Sequence, residues 1–339
     1  MKNNYEQEGD LMPIYPTDGY IFDTHTDVQR EFIQRIKDFS TENALSWLSK
    51  VKNDRELSHP ATLRFEWERS YEKTIFELSE NEDFSQAIRL ECDENFCEIG
   101  NFKVGKKYFW RINGGKTRFF FTSNEKFRFI KLDGALNVRD IGGVNIKQGL
   151  VFRGSDIDLC FPLTEDGKKA FRQLNIKTEL ELRSDVDQRD CIAGKEVSLV
   201  RLPYRPYIEV FSDMHRAGLC RIMEFLSDEA NYPIYIHCMG GADRTGMIAL
   251  YLRALCGEDD DTIHTDYELT GLSTYALGAS EGADGFRSRN SDYYREFFDK
   301  ISEYAPTGTL SQKVRGFVLS CGVKSETIDR IINILCKGE

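Results

Sequence analysis

Between residues 63 and 121 the chain alternates apolar with polar positions. Leu63, Phe65 and Trp67 lie on one face of a five-residue run. Similar short runs follow at Ile75, Phe76 and Leu78, at Ile88 and Leu90, at Tyr108, Trp110 and Ile112, and at Phe119 and Phe121. A two-residue period in aromatic and β-branched residues predicts half-buried strands. Turn-like stretches at 79–83, 93–95 and 113–116 separate them at the spacing of a β-sandwich, so the aromatics read as its core. Ahead of the strands, Val28, Phe32, Ile33, Ile36 and Phe39 recur at helical spacing. That predicts one or two helices over 27–53, packed on the sandwich.

After residue 134 the period changes. Strands are predicted at 150–153, 177–182, 199–202 and 233–237, with helices at 165–174, 219–226 and 245–256, and three more at 293–304, 311–321 and 325–335. The acidic run Glu258 to Asp261 reads as a solvated loop. Alternating strands and helices imply a parallel-rich sheet flanked by helices on both faces. The expected architecture is therefore a β-sandwich with an added helix over residues 1–130, followed by an α/β domain over 131–339. The strand run, with Trp67 early and Trp110 late, resembles a fibronectin type III or related immunoglobulin-like domain.

Charge and cysteines narrow the chemistry. The 339 residues carry 45 Lys and Arg against 56 Asp and Glu, a net charge of −11, with no basic block. Nucleic acids and anionic membranes are bound through clustered cations, so neither is an expected partner. No run is apolar and long enough to span a membrane. The first ten residues are polar and acidic, unlike a signal peptide. The nine cysteines are odd in number and show neither zinc-ligand spacing nor a disulfide framework. They read as reduced thiols of a cytoplasmic protein, with secretion left open if a signal peptide had been removed. No metal and no cofactor is expected.

The segment Ile234-Tyr235-Ile236-His237-Cys238-Met239-Gly240-Gly241-Ala242-Asp243-Arg244-Thr245-Gly246 carries the chemistry. A buried strand delivers a cysteine to its C-terminal end, five residues with adjacent glycines form a loop, and an arginine opens a helix. Open α/β sheets bind ligands at that edge. Glycines let backbone N–H groups converge on an anion, and the helix start adds the positive end of its dipole. Met239, Gly240, Gly241 and Ala242 would thus bind a phosphate. The same field favours a Cys238 thiolate, a ready nucleophile. Arg244 offers a planar fork for two phosphoryl oxygens. The Thr245 hydroxyl is placed to donate to the sulfur when it leaves.

This segment resembles the His-Cys-x5-Arg-Ser/Thr signature of the protein tyrosine phosphatase superfamily. The ordered series Asn137-Val138-Arg139-Asp140-Ile141-Gly142-Gly143, Phe152-Arg153-Gly154-Ser155 and Glu181-Leu182-Arg183-Ser184 is similar to that of its bacterial tyrosine/serine phosphatase branch, over about residues 131–336. The resemblance implies a metal-free phosphomonoesterase of the phosphatase fold, working through a phosphocysteine on a phosphotyrosine protein or a small phosphate ester. That branch commonly has Lys where Ala242 stands, and the missing cation favours a single phosphate over a highly charged phosphoinositide. An inositol-phosphate or phosphoinositide phosphatase is the competing enzyme reading. A phosphate-binding or adhesion module without turnover is the non-enzymatic one, and no ligand of the sandwich is indicated.

Several roles stay open at this level. His237 either orients the thiolate or is a hydrogen-bonded core histidine. Asp140 either shapes the rim of the phosphate site or caps a turn. Arg139, Arg153 and Arg183 either brace the loop or form scaffold ion pairs. The general acid is expected to be Asp243, whose bland alternative is a tether for Arg244 or a helix cap. Asp213 is the other candidate acid.

Overall fold

The computed structural model describes residues 11–38, 40–51, 56–68, 73–184, 190–274 and 287–336. Residues 1–10, Phe39 and the last two positions of the 27–53 stretch lie outside the described residues. The chain forms two compact units, one of residues 1–25 and 60–125, the other of 26–59 and 126–339.

The first unit is the sandwich. Strands β1 (Pro13–Tyr15), β3 (Leu63–Trp67) and β6 (Phe96–Ile99) make a sheet in the order β1-β3-β6. Strands β2 (Tyr20–Phe22), β4 (Thr74–Ser79), β5 (Ile88–Cys92), β7 (Lys107–Ile112) and β8 (Arg118–Thr122) make the other, ordered β2-β8-β7-β4-β5. Pairing is antiparallel except between β2 and β8. Alternate positions of the strands point inward, where Phe65 meets Phe76 at 4.9 Å and Trp110 at 5.2 Å between ring centroids. Strands β1, β2 and β6 escaped the sequence pattern because three or four residues are too few to show a period.

The second unit holds a six-stranded sheet. Its strands are β9 (Arg128–Phe129), β10 (Arg139–Asp140), β11 (Val151–Gly154), β12 (Thr178–Glu181), β13 (Ser198–Arg201) and β14 (Ile234–His237), in the order β13-β12-β14-β11-β10-β9. Strands β11 to β14 are parallel, while β9 and β10 close one edge antiparallel. Helices α1 (Asp27–Arg35), α2 (Thr41–Val51), α3 (Glu165–Gln173), α4 (Asp213–Leu226), α5 (Asp243–Leu255), α6 (Asp260–Glu268), α7 (Asp292–Ser302), α8 (Leu310–Ser320) and α9 (Ser325–Leu335) complete it. Strand β14 lies between β11 and β12 with all four residues buried, and α5 is buried from Thr245 to Leu255. A fully buried strand followed by a helix buried along its length belongs at the centre of such a fold.

Two expectations need correction. Helices α1 and α2 belong to the second unit and not to the sandwich, because Phe32, Ile36, Ala44 and Leu48 cluster with Phe127, Phe129, Leu269 and Leu272. A Thr26–Gln29 capping box starts α1, and the Gln29 amide donates to the carbonyls of Leu57 (2.8 Å) and His59 (2.7 Å). The acidic run is solvated at Asp259, Asp260 and Asp261 but is not simply a loop, since Asp260 and Asp261 open α6. Glu258 is buried and accepts from Arg253 at 2.5 Å, and Asp259 caps α6 through the Thr262 N–H.

A fragment beginning at Lys126 is therefore expected to fail where the full chain succeeds, since it uncovers Phe127, Phe129, Leu269 and Leu272 together. Burial of side chains of that size stabilises by about 1.5–3 kcal/mol each. Size-exclusion chromatography should show the fragment aggregating or its melting point well below that of the full chain. A fragment as stable as the full chain would contradict the placement of α1 and α2.

Candidate active site

The five residues from Cys238 to Ala242 join β14 to α5 at the C-terminal edge of the sheet. Four successive carbonyls of this loop are held from outside it. His237 Nδ1 lies 3.1 Å from the Cys238 oxygen, the Asp156 N–H donates to Met239 (2.8 Å), the Asn137 amide to Gly240 (3.1 Å), and Arg153 to Gly241 (2.7 Å). In a planar trans peptide the N–H points opposite to the C=O. Carbonyls bound on the outer side therefore leave the N–H groups to face the concave side, at the start of α5. This is the chemistry of an anion cradle.

Gly241 makes the tight turn possible. It has φ +65°, and a Cβ there would come within 2.3 Å of the Gly154 carbonyl group. Backbone cannot yield as a side chain would. Gly241→Ala is expected to lower kcat/KM for an aryl phosphate by about 100-fold, the scale at which a misplaced active-site group slows turnover. Unaltered kinetics would show that the loop is not held in this form.

The donors that hold the loop are themselves fixed by buried ion pairs. Asp266, fully buried on α6, accepts from Arg139 (2.9 Å), Arg153 (2.6 Å) and Arg253 (3.4 Å). Burial alone would raise its pKa, but the charges of Arg139, Arg253 and Arg153 overcome it and hold Asp266 far below the usual carboxylate range. Arg139 also donates to the Asn137 side chain at 2.5 Å, so it braces the loop through Asn137. Arg183 binds Asp156, Asp158 and Glu181 at 2.6–2.8 Å and thereby fixes the stretch whose N–H holds Met239.

His237 is fully buried, with Nε2 at 2.9 Å from Glu179. Burial disfavours its charge, yet the Glu179 bond and the charge of Glu181 prevail and its pKa is raised. The ring bridges the Glu179 carboxylate and the Cys238 carbonyl. His237 is thus a hydrogen-bonded core histidine whose ring also reaches the backbone carbonyl of Cys238. Glu179, Glu181 and His237 also bring their ligand atoms within 4.8 Å of one another. Those atoms already face His237, Arg183 and the loop.

Cys238 is 3% exposed, and Thr245 Oγ1 is buried with no hydrogen-bond partner among the described residues. Arg244 is half-buried at the helix start. Among the described residues no carboxylate lies within ion-pair distance of it. Ala242 is buried and Met239 is 43% exposed at the rim. Asp243 takes two bonds from Arg287 (2.7 and 2.6 Å) and one from the Tyr207 hydroxyl (2.5 Å). It does not cap α5, whose cap position is Ala242 with no side-chain bond. Asp213 is exposed in the first turn of α4.

Asp140 does not belong to the phosphate site. It is fully buried and filled by Arg128 (2.7 Å) and by the N–H groups of Gly142 (2.8 Å) and Gly149 (2.6 Å), so it closes a turn. Asn137, Asp156, Asp266, Glu179, Tyr207 and Arg287 were not among the sequence candidates for the site.

A family model described as "Tyrosine phosphatase family" matches residues 130–337, more than half of the chain. The chain belongs to the tyrosine phosphatase family. No curated protein matches its sequence. Among solved structures, the Siw14 catalytic core is 20% identical, covering 38% of this chain and 75% of its own, with a TM-score of 0.30. The core catalytic domain of the PP-IP phosphatase SIW14 from S. cerevisiae, in complex with citrate, is 17% identical over 47% of this chain and 91% of its own (TM-score 0.29). TpbA from P. aeruginosa is 17% identical over 55% and 91% (TM-score 0.34). Membership in the family implies a phosphate-ester substrate. No helix among the described residues is long and apolar enough to cross a membrane.

Proposed function

We propose that the chain is a metal-independent protein tyrosine phosphatase that works through a phosphocysteine. The observation that carries this is the loop from Cys238 to Gly241, whose carbonyls are all bound outward while the half-buried Arg244 has no carboxylate partner among the described residues. The Cys238 sulfur attacks phosphorus and a P–S bond forms as the ester P–O bond breaks. The loop N–H groups and Arg244 hold the phosphoryl oxygens through the transition state. Asp243 gives its proton to the departing oxygen. Water then attacks phosphorus, the S–P bond breaks, Asp243 takes up the proton, and Thr245 donates to the returning thiolate.

A single phosphate ester fits this pocket best. Arg139, Arg153, Arg183 and Arg253 are all spent in buried ion pairs, and position 242 carries only a methyl group. A polyphosphorylated inositol needs several free cations around one site. A panel of phosphotyrosine peptide, phosphoserine peptide and inositol phosphates tests the choice, with fastest turnover expected on phosphotyrosine. EDTA is expected to leave the rate unchanged. Loss of activity in EDTA that a divalent ion restores would count against the mechanism and point to the Glu179, Glu181 and His237 group.

A further inference from the structure

The sequence holds no acidic residue in the stretch from Leu202 to Tyr207, but that stretch reaches the phosphate loop all the same. Tyr207 has φ +55°, a left-handed conformation uncommon for an aromatic residue and found where a site over-determines the backbone. Its hydroxyl lies 2.5 Å from Asp243 and 2.5 Å from the Tyr267 hydroxyl. Tyr293 packs on its ring at 4.7 Å. From the other side Arg287 forks onto both oxygens of the same carboxylate. The charged or titratable groups acting on Asp243 are thus Arg287, Tyr207 and Arg244, with Tyr267 and Tyr293 behind Tyr207.

We propose that Arg287, assisted by Tyr207, is a positioning residue for catalysis: through its ion pair with Asp243 it sets the pH range in which that carboxyl can protonate a leaving group. This rests on the reading of Asp243 as the general acid. An acid must carry its proton when the ester bond breaks, and a carboxylate gripped by a bidentate arginine and a phenol O–H is stabilised as the anion. Burial opposes that anion, but Arg287, then Tyr207 and Arg244, outweigh burial and hold Asp243 below its ordinary value. The sign follows. With Arg287 in place the acid loses its proton at low pH, so the basic limb of the rate profile lies on the acid side. Without Arg287 the proton stays on to higher pH, and the limb moves up. The requirement is felt only where the leaving oxygen needs a proton: phenyl phosphate depends on it, and an activated nitrophenyl ester does not.

The test is the pH dependence of kcat/KM for phenyl phosphate and for p-nitrophenyl phosphate, in the full chain and in its Arg287→Gln, Arg287→Lys, Tyr207→Phe and Asp243→Asn variants. Arg287→Gln is expected to move the basic limb for phenyl phosphate upward by about a unit or more, the effect of removing a neighbouring opposite charge. Arg287→Lys should restore most of the wild-type position, and Tyr207→Phe should move it the same way by less. If Arg287→Gln misfolds, Tyr207→Phe decides the point. A limb that stays in place while both esters slow equally would overturn the proposal and leave Arg287 a scaffold residue. Asp243→Asn separates the two levels of the argument. If that variant removes the limb and steepens the dependence on leaving group, yet the Arg287 variants do not move it, only the role of Arg287 fails. If it changes neither, the acid assignment fails and this proposal with it.

Discussion

Cys238→Ser is expected to reduce turnover by about 10⁴-fold or more while leaving inorganic phosphate bound almost as well as before. A serine hydroxyl at this position is a far weaker nucleophile than a thiolate. The binding elements do not depend on the sulfur. Asp156, Asn137 and Arg153 hold the loop carbonyls, and Arg244 stays at the start of α5. Phosphate protection against thermal unfolding, which reads affinity without turnover, should be similar in the two proteins. Substantial hydrolysis by the serine variant would remove Cys238 from the nucleophile's role.

Asp266→Asn is expected to cost about 3–5 kcal/mol of stability, because it leaves three buried guanidinium groups without their shared anion. For a domain of this size that corresponds to a melting point lower by roughly 10 °C or more. The effect should depend on pH. Asp266 is depressed in the folded state, so its contribution is fully present above the unfolded carboxylate value of about 3.9 and fades as pH falls below it. The wild type should therefore lose stability on acidification more steeply than the variant below about pH 4. Activity should fall as well, since Arg153 and Arg139 reach the loop at Gly241 and, through Asn137, at Gly240. A variant with the melting point of the wild type would contradict the network.

What the sequence reveals about the site is what is local in sequence. Residues 237–246 announce an anion-binding loop because a strand, two glycines and a helix start are contiguous there. The residues that hold the loop come from elsewhere: Asn137 is 103 positions from Gly240, and Arg153 is 88 from Gly241. Spacing cannot pair them, although Asn137, Arg139 and Arg153 stood in the motif series that resembled the family. Asp266 was hidden because α6 begins in an acidic run that reads as a loop until Asp259 is seen to cap a helix there. The role of Asp140 stayed open for the converse reason. A carboxylate beside paired glycines can bind substrate or close a turn, and its three donors decide for the turn.

The sandwich was legible from period two, which needs only neighbours within a strand. The placement of α1 and α2 was not. Their apolar face shows that they are buried, but not against what, and nearness in sequence to the sandwich strands suggested the wrong partner. Phe127, Phe129, Leu269 and Leu272 complete that core. Tyr207 and Arg287 carried no signal at all, since their role arises only where Asp243 meets both.

The central claim is a covalent phosphoryl group on one sulfur. Acid quenching during turnover of an aryl phosphate, followed by peptide mass spectrometry, should find the peptide containing Cys238 heavier by one phosphoryl group in wild type and unmodified in Cys238→Ser. A phosphoryl group on another residue, or steady turnover with Cys238 never modified, would contradict it.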